Sequence, residues 1–276
     1  AISAGYWNSL GAPLVFDDRP AIVDNPTIRQ LWGSWQTPQN GSSAVGRPLV
    51  NMSFAANYAL SGLAVGSYHF LNLVLHILTA LTLWGILRQT VRRTTRQETQ
   101  ILPLTATLWW ALHPLLTESV TCVVQRSEIL GGLFYLLTLY AFIRSTESGT
   151  QIRFWRTIAV ASGFLGVFTK EINVTAPLLA LLYDRTFVAG TFRSAWRQRK
   201  WLFVALATSW LPLAALVLSG GQRTGTAGFG LGVSAWEYLL TQCRAISLYL
   251  KLSFWPHPLV IDYGMPVVRN WGEVAG

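Results

Sequence analysis

Two adjacent carboxylates, Asp17 and Asp18, close an apolar stretch that ends at Phe16, with Arg19 directly after them. An acidic pair beside hydrocarbon-like sequence persists where water, a cation or a reaction keeps it there. A second polar group follows His113-Pro114 and contains Glu118, Gln125, Arg126 and Glu128. Read as a helix over 117–128, it places Glu118, Cys122 and Gln125 on one face with Arg126 close by. Lys170-Glu171 sits at a tight turn between two short apolar arms, and Arg47 precedes Pro48. A further group comprises Gln242, Arg244 and the run from Trp255-Pro256-His257-Pro258 to Asp262-Tyr263. Carboxylates with fixed cations suit one chemistry in particular, in which an Asp activates a hydroxyl while Arg or Lys stabilises a phosphate leaving group. Each group also has a structural reading. Asp17-Asp18 suits a solvated loop or helix cap, Arg126 an ion pair with Glu118 or Glu128, Lys170-Glu171 the solvation of a turn, and Arg244 a snorkel to lipid head groups.

The elements that must position these residues are membrane helices. Of 276 residues, 51% are hydrophobic and 12% charged, against roughly a quarter charged in soluble domains. The net charge of +9 comes from short basic loops rather than from a stripe interleaved with exposed aromatics, which argues against nucleic acid. Apolar segments run over 68–87, 101–112, 129–143, 157–169, 172–183 and 201–218, several of them shorter than the ~20 residues of a perpendicular span. Three loops between them are basic: Arg88, Arg92, Arg93 and Arg96; Arg144, Arg153 and Arg156; then Arg185, Arg193, Arg197, Arg199 and Lys200. Lys and Arg mark cytoplasmic loops, so the chain crosses twice between consecutive members of this set. Residues 1–67, the turns at 113–128 and 170–171, and the start of 219–276 then face outward, together with most of the acids.

The reading is an all-α, polytopic membrane helix bundle. Residues 1–67 form an external first loop carrying short helices after a truncated or missing first membrane helix. Residues 68–218 form a six-segment bundle, and 219–276 an external loop with an amphipathic or re-entrant helix over 235–254, a seventh crossing being the alternative. His69, Asn72 and His76 make a polar stripe on the first complete helix, suited to interhelical hydrogen bonding. Cys122 and Cys243 read as two separate buried thiols rather than a disulfide. The Gly-rich piece over 219–232 follows an apolar helix rather than a strand, so it is an outer loop and not a dinucleotide-binding turn. Asn40, Asn51 and Asn173 open Asn-X-Ser/Thr sequons, Asn173 too near the membrane to be a convincing acceptor.

The stretches YWNSLGAPLVFDDRPAI, GRPLVNMSFAANY, YHFLNLVLH, ALHPLLTESVTCVVQRSEIL, FTKEINVTAPLLALLYD and YLLTQCRAISLYLKLSFWPHPLVIDY resemble, in order, blocks of the transmembrane-and-tetratricopeptide-repeat O-mannosyltransferase family and its bacterial relatives. That family belongs to the GT-C glycosyltransferases. The resemblance implies a GT-C-like bundle in a bacterial inner membrane, or the endoplasmic reticulum membrane of a eukaryote. It implies inverting transfer of a sugar, mannose for the family, from a polyprenyl-phosphate donor to a protein Ser or Thr hydroxyl on the extracytoplasmic side. Asp17 and Asp18 match the family's acidic pair in the first external loop. With that mechanism Asp17 is the expected base and Asp18 a positioning group. Arg126, Lys170 and Arg244 are the expected donor-phosphate ligands, with Arg47, His113, Glu118, Glu128 and Glu171 in support. No nucleotide cofactor is needed, and a divalent metal near the pair stays open. The partners are membrane lipid, the lipid-linked sugar, the acceptor protein and other membrane subunits. The sequence departs from the family in lacking a complete first helix and the tetratricopeptide repeats. A non-catalytic structural subunit that keeps the fold is therefore the alternative function.

Overall fold

A computed structural model describes residues 1–38, 42–147, 149–218, 232–260 and 262–273. Among these residues the chain is helical, with no strand. The sequon at Asn40 and nearly all of the Gly-rich piece lie outside the described residues. After a short α1 (Ile2–Gly5) come α2 (Pro48–Ser61), α3 (Val65–Thr95), α4 (Ile101–Ala111), the one-turn α5 (Thr117–Thr121) and α6 (Arg126–Ser145). Then follow α7 (Ile152–Val167), α8 (Ala176–Phe187), α9 (Phe192–Ala207), α10 (Trp210–Leu218) and α11 (Ala235–Phe254).

Local chemistry sets the boundaries. Pro48 opens α2 at a position where a missing N–H costs nothing, and Gly62 closes it at φ 58°. Pro114 forbids helical backbone at His113, which is extended (φ −67°, ψ 131°), so α4 stops after eleven residues. Ser234 and Glu237 form a reciprocal capping box at the start of α11.

Helices α3, α4, α6, α7 and α8 run back and forth. At one end Arg92 meets Glu147 (2.8 Å), Arg93 donates to the Thr146 hydroxyl (2.7 Å), and Arg199 holds Asp184. At the other, α6 begins beside Tyr68 and Asn72 of α3, and Lys170 reaches Glu128. The basic loops thus share one end of the array, as the charge pattern predicts. Gly85 permits the close packing of α3 on α6, because a Cβ there would lie 2.7 Å from the Tyr140 ring.

Among the described residues two helices have the length and composition to cross a membrane, α3 and the Val123–Ser145 stretch that contains α6. At 1.5 Å per residue α3 is about 46 Å long, beyond the ~30 Å hydrocarbon core, so its Arg-rich end projects past it. The other apolar segments are shorter or interrupted. The stretch 172–183 starts as a 3-10 turn over Glu171–Thr175, and 201–218 breaks between α9 and α10.

Among the described residues before α2, the short turns over Pro26–Arg29 and Gly33–Trp35 pack on α2, while the turn over Trp7–Gly11 packs on α3. Ile22, Ile28, Val50 and Phe54 pack there with Tyr68, Val123 and Val124 in one buried cluster. A polar knot lies beside it: buried Asn51 accepts from Asn25 (2.9 Å) and donates to the Thr27 hydroxyl and the Ser34 carbonyl (both 2.8 Å).

Candidate functional site

The acidic pair sits on a tight turn. The Asp18 N–H donates to the Val15 carbonyl (2.9 Å), and the Val15 N–H donates back to Asp18 Oδ2 (3.0 Å). Phe16, between them, has φ 46°, a conformation a bulky L-residue rarely adopts. The closure separates two neighbouring carboxylates. Asp17 is exposed at the tip, and its side chain has no hydrogen bond or ion pair among the described residues. Asp18 is fully buried, and its other oxygen accepts from the Val124 N–H (2.7 Å) and the Cys122 thiol (3.5 Å). Burial, and after it the Asp18 carboxylate, push the Cys122 thiol up to about 12. Both cysteines are free and half-buried.

Arg126, in the first turn of α6, is fully buried. Its Nε donates to Asn72 Oδ1 (2.7 Å). One terminal nitrogen donates to the Ser53 carbonyl (3.2 Å), the other to Asn57 Oδ1 (3.0 Å) and the Tyr68 carbonyl (3.1 Å). The Phe54 ring lies 4.7 Å from the guanidinium carbon. A guanidinium enclosed in this way has no face left for a phosphate, which corrects the expected donor-binding role of Arg126. The alternative ion pair is corrected too, since Glu118 takes Gln125 (2.9 Å) and Glu128 takes Lys170. Burying a cation is costly without such a set of acceptors. The spacing of Ser53 and Asn57, one helical turn apart in the apolar α2, is the signal that sequence reading passed over.

The polar stripe of α3 holds irregular backbone. His69 contacts the Ala12 carbonyl (3.0 Å), His76 the Ala111 carbonyl (2.9 Å), and the Asn72 amide points at the carbonyls of Val120, Cys122 and Val123 (3.3–3.5 Å). Buried backbone outside regular helices requires partners of this kind. The expected hydrogen-bonding role of these three residues therefore holds.

Four other expected residues meet around the first turn of α6. Lys170 pairs with Glu128, and Arg47 lies 3.9 Å from Glu171 while donating to the Ser127 hydroxyl (3.2 Å) and the Ser43 carbonyl (3.0 Å). All four stay partly exposed, Arg47 the least, with 14% of its side chain accessible. His113 accepts the Leu115 N–H on Nδ1 (3.3 Å), so its Nε2 carries the proton and donates to the Ser253 carbonyl (3.2 Å), tying the 113–125 segment to the end of α11. Arg244, half-buried on α11, makes no hydrogen bond or ion pair among the described residues. Among those residues no group of three or more His, Cys, Asp or Glu side chains is placed to hold a metal ion. Asn51 and Asn173 are fully buried, so neither sequon is an accessible acceptor.

Described residues that are helical throughout, with two apolar helices long enough to span a bilayer and irregular backbone stitched by a buried amide and a buried arginine, fit a membrane-associated helical protein. The chain is 31% identical over 201 residues to the human protein O-mannosyl-transferase TMTC3, covering 68% of this chain and 21% of that protein. It is 31% identical over 284 residues to protein O-mannosyl-transferase Tmtc2 of Drosophila melanogaster, covering 94% of this chain and 29% of the relative. Human TMTC1, another protein O-mannosyl-transferase, is 30% identical over 199 residues, 65% of this chain and 22% of that protein. The chain therefore belongs to the transmembrane-and-tetratricopeptide-repeat O-mannosyltransferase family, as the ordered blocks implied. It spans between a fifth and a third of the length of these relatives. No family model matches it, and no solved structure matches it.

Proposed function

We propose that this chain is the membrane portion of a protein O-mannosyltransferase, moving mannose from a polyprenyl-phosphate donor to a Ser or Thr hydroxyl on the extracytoplasmic side. The observation that carries this reading is the division of labour in the acidic pair, in a chain whose relatives are named protein O-mannosyl-transferases. Asp17 offers an unpartnered, exposed carboxylate, whereas Asp18 is consumed in holding its turn against residues 122–124.

In this mechanism the Asp17 carboxylate takes the proton of the incoming hydroxyl as its oxygen attacks the anomeric carbon. The bond from that carbon to the phosphate oxygen breaks with its electron pair going to the phosphate, and the configuration inverts. Lys170 and Arg244 counter the departing charge, Lys170 exchanging Glu128 for phosphate. Arg47 and Glu171 fix the segment that carries Lys170, while Arg126 works as an internal brace.

The test is transfer by the complete protein in membranes, supplied with labelled polyprenyl-phosphate mannose or with a nucleoside-diphosphate mannose. Label should reach protein from the lipid donor alone. Equal use of the water-soluble donor, or transfer undiminished in Asp17→Asn, would overturn the proposal.

A further inference from the structure

A cavity of about 800 Å³ opens between α7 and α9, far from the acidic pair in sequence and at the basic end of the array in space. One wall is the face of α7 that carries Arg156, Val160 and Phe164, spaced by a helical turn. The other wall is α9, with Arg199, Leu202 and Ala205. The polar residues lie at one end of both walls and the apolar ones follow toward the C-terminal ends of the two helices. The mouth therefore offers cations and the interior offers hydrocarbon.

A kink in α9 borders this groove. Asp184, fully buried on α8, takes one terminal nitrogen of Arg199 at 3.0 Å from both carboxylate oxygens. At that residue α9 is kinked, with Arg199 at φ −134° and ψ 22°. Arg199 is thus already neutralised, but Arg156 on the facing wall is exposed, with no ion pair or hydrogen bond from its side chain among the described residues. Arg153, Arg193 and Arg197 nearby are in the same condition. The acids of this end, Glu98, Glu147 and Asp184, are paired with Arg92, Arg144 and Arg199. Trp201, 75% exposed on the rim, carries the Lys200 ammonium 5.2 Å from its ring, an arrangement suited to the head-group level of a bilayer.

We propose that the α7–α9 cavity is a binding site for a phospholipid of net negative charge, its acyl chain along Val160, Phe164, Leu202 and Ala205 and its head group against Arg156. Charge complementarity selects the occupant: an uncompensated guanidinium at the mouth of an apolar groove matches an anionic head group on a hydrocarbon tail. The site is separate from the proposed transfer chemistry and stands or falls independently of it.

Native mass spectrometry of the protein extracted from its membrane in mild detergent tests this, with phosphatidylglycerol and phosphatidylcholine of identical acyl chains titrated in turn. The wild type should retain one phosphatidylglycerol at least about fivefold better than phosphatidylcholine, the discrimination expected of one basic side chain at a lipid head group. Arg156→Gln should abolish the preference and Arg193→Gln, outside the cavity, should keep it. Ala161→Trp, which fills the groove without changing charge, should lower retention of both lipids while circular dichroism stays unchanged. Equal retention of the two lipids by the wild type, equal losses in Arg156→Gln and Arg193→Gln, or full retention in Ala161→Trp would overturn the site.

Discussion

Arg126 and Asp184 are buried charges at opposite ends of the helix array, and they are satisfied in opposite ways. Asp184 meets a full counter-charge, one Arg199 nitrogen shared between both of its oxygens, across α8 and the kink of α9 at the basic end. Arg126 meets neutral dipoles, the side-chain oxygens of Asn57 and Asn72 and the carbonyls of Ser53 and Tyr68, where the neighbouring chain over 113–125 is irregular. The difference follows from what each has to hold. A single ion pair joins two helices, α8 and α9. A guanidinium with donors in several directions joins α2, α3 and α6 at once and fixes the depth at which α6 begins. The neighbouring Asn72 and Asp18 then satisfy the backbone of residues 120–124, so the exposed Asp17 is displayed on a rigid support.

The sharpest break of that contrast is Arg126→Met. It strands the neutral acceptors of four residues inside the protein, and a loss of about 3–5 kcal/mol is expected, since each buried acceptor left unpaired costs about 1–3 kcal/mol and some can re-pair. Thermal unfolding in detergent reads this directly. A variant that unfolds like the wild type but loses transfer would return Arg126 to the reaction. Asp184→Ala should cost less, about 2–3 kcal/mol, because the Arg199 it leaves behind is 13% exposed and can turn toward water. The double variant Asp184→Leu with Arg199→Leu should recover part of that loss, whereas strictly additive losses would mean that the two do not act as a pair.

The half-exposed pair Lys170–Glu128 should matter little to the fold and much to the chemistry. Lys170→Ala is expected to shift stability by less than about 1 kcal/mol, the range of solvent-accessible ion pairs, while transfer falls at least about tenfold through loss of a charge at the leaving group. Comparable losses in both readouts would reclassify the pair as structural.

The smallest expected effect concerns the start of α11. The Ser234 backbone and hydroxyl hold the Glu237 carboxylate below its ordinary range. A depressed carboxylate stabilises the fold above its unfolded value, and that contribution disappears as pH falls through the lower folded value. Amide exchange in the first turn of α11 should therefore quicken below about pH 4.3, the ordinary value for a glutamate carboxylate, and Glu237→Gln should remove the pH dependence. An unchanged profile in that variant would assign the capping contact no role.

Much of the helical framework is legible in the residues themselves. Arginines cluster at one end, Pro114 and Pro177 punctuate the helices, and His69, Asn72 and His76 repeat along α3, so the array and its polar seam follow from spacing and local stereochemistry. The inward turn of Arg126 is not legible in the same way. Its acceptors come from α2 and α3, and only tertiary packing decides that Ser53, Asn57 and Asn72 face it. The split between Asp17 and Asp18 is hidden for a different reason. It depends on a left-handed residue that sequence marks with Gly or Asn, and here the position is occupied by Phe16. The distribution of partners was equally out of reach, because Glu118, Glu128 and Glu171 are interchangeable by type and differ only in which donor the fold brings near, the Gln125 amide, Lys170 or Arg47.

The central claim is that neighbouring carboxylates divide the work, Asp17 reacting and Asp18 holding. Measuring unfolding temperature and transfer from polyprenyl-phosphate mannose on the same preparations of Asp17→Asn and Asp18→Asn tests it most directly. Asp17→Asn should keep the wild-type unfolding temperature and lose about a hundred- to ten-thousand-fold in turnover, the contribution of a positioned general base. Asp18→Asn should lower the unfolding temperature and speed alkylation of Cys122, whose thiol the neighbouring carboxylate helps to keep protonated. Full transfer by Asp17→Asn, or an Asp18→Asn protein as stable as the wild type, would contradict the account.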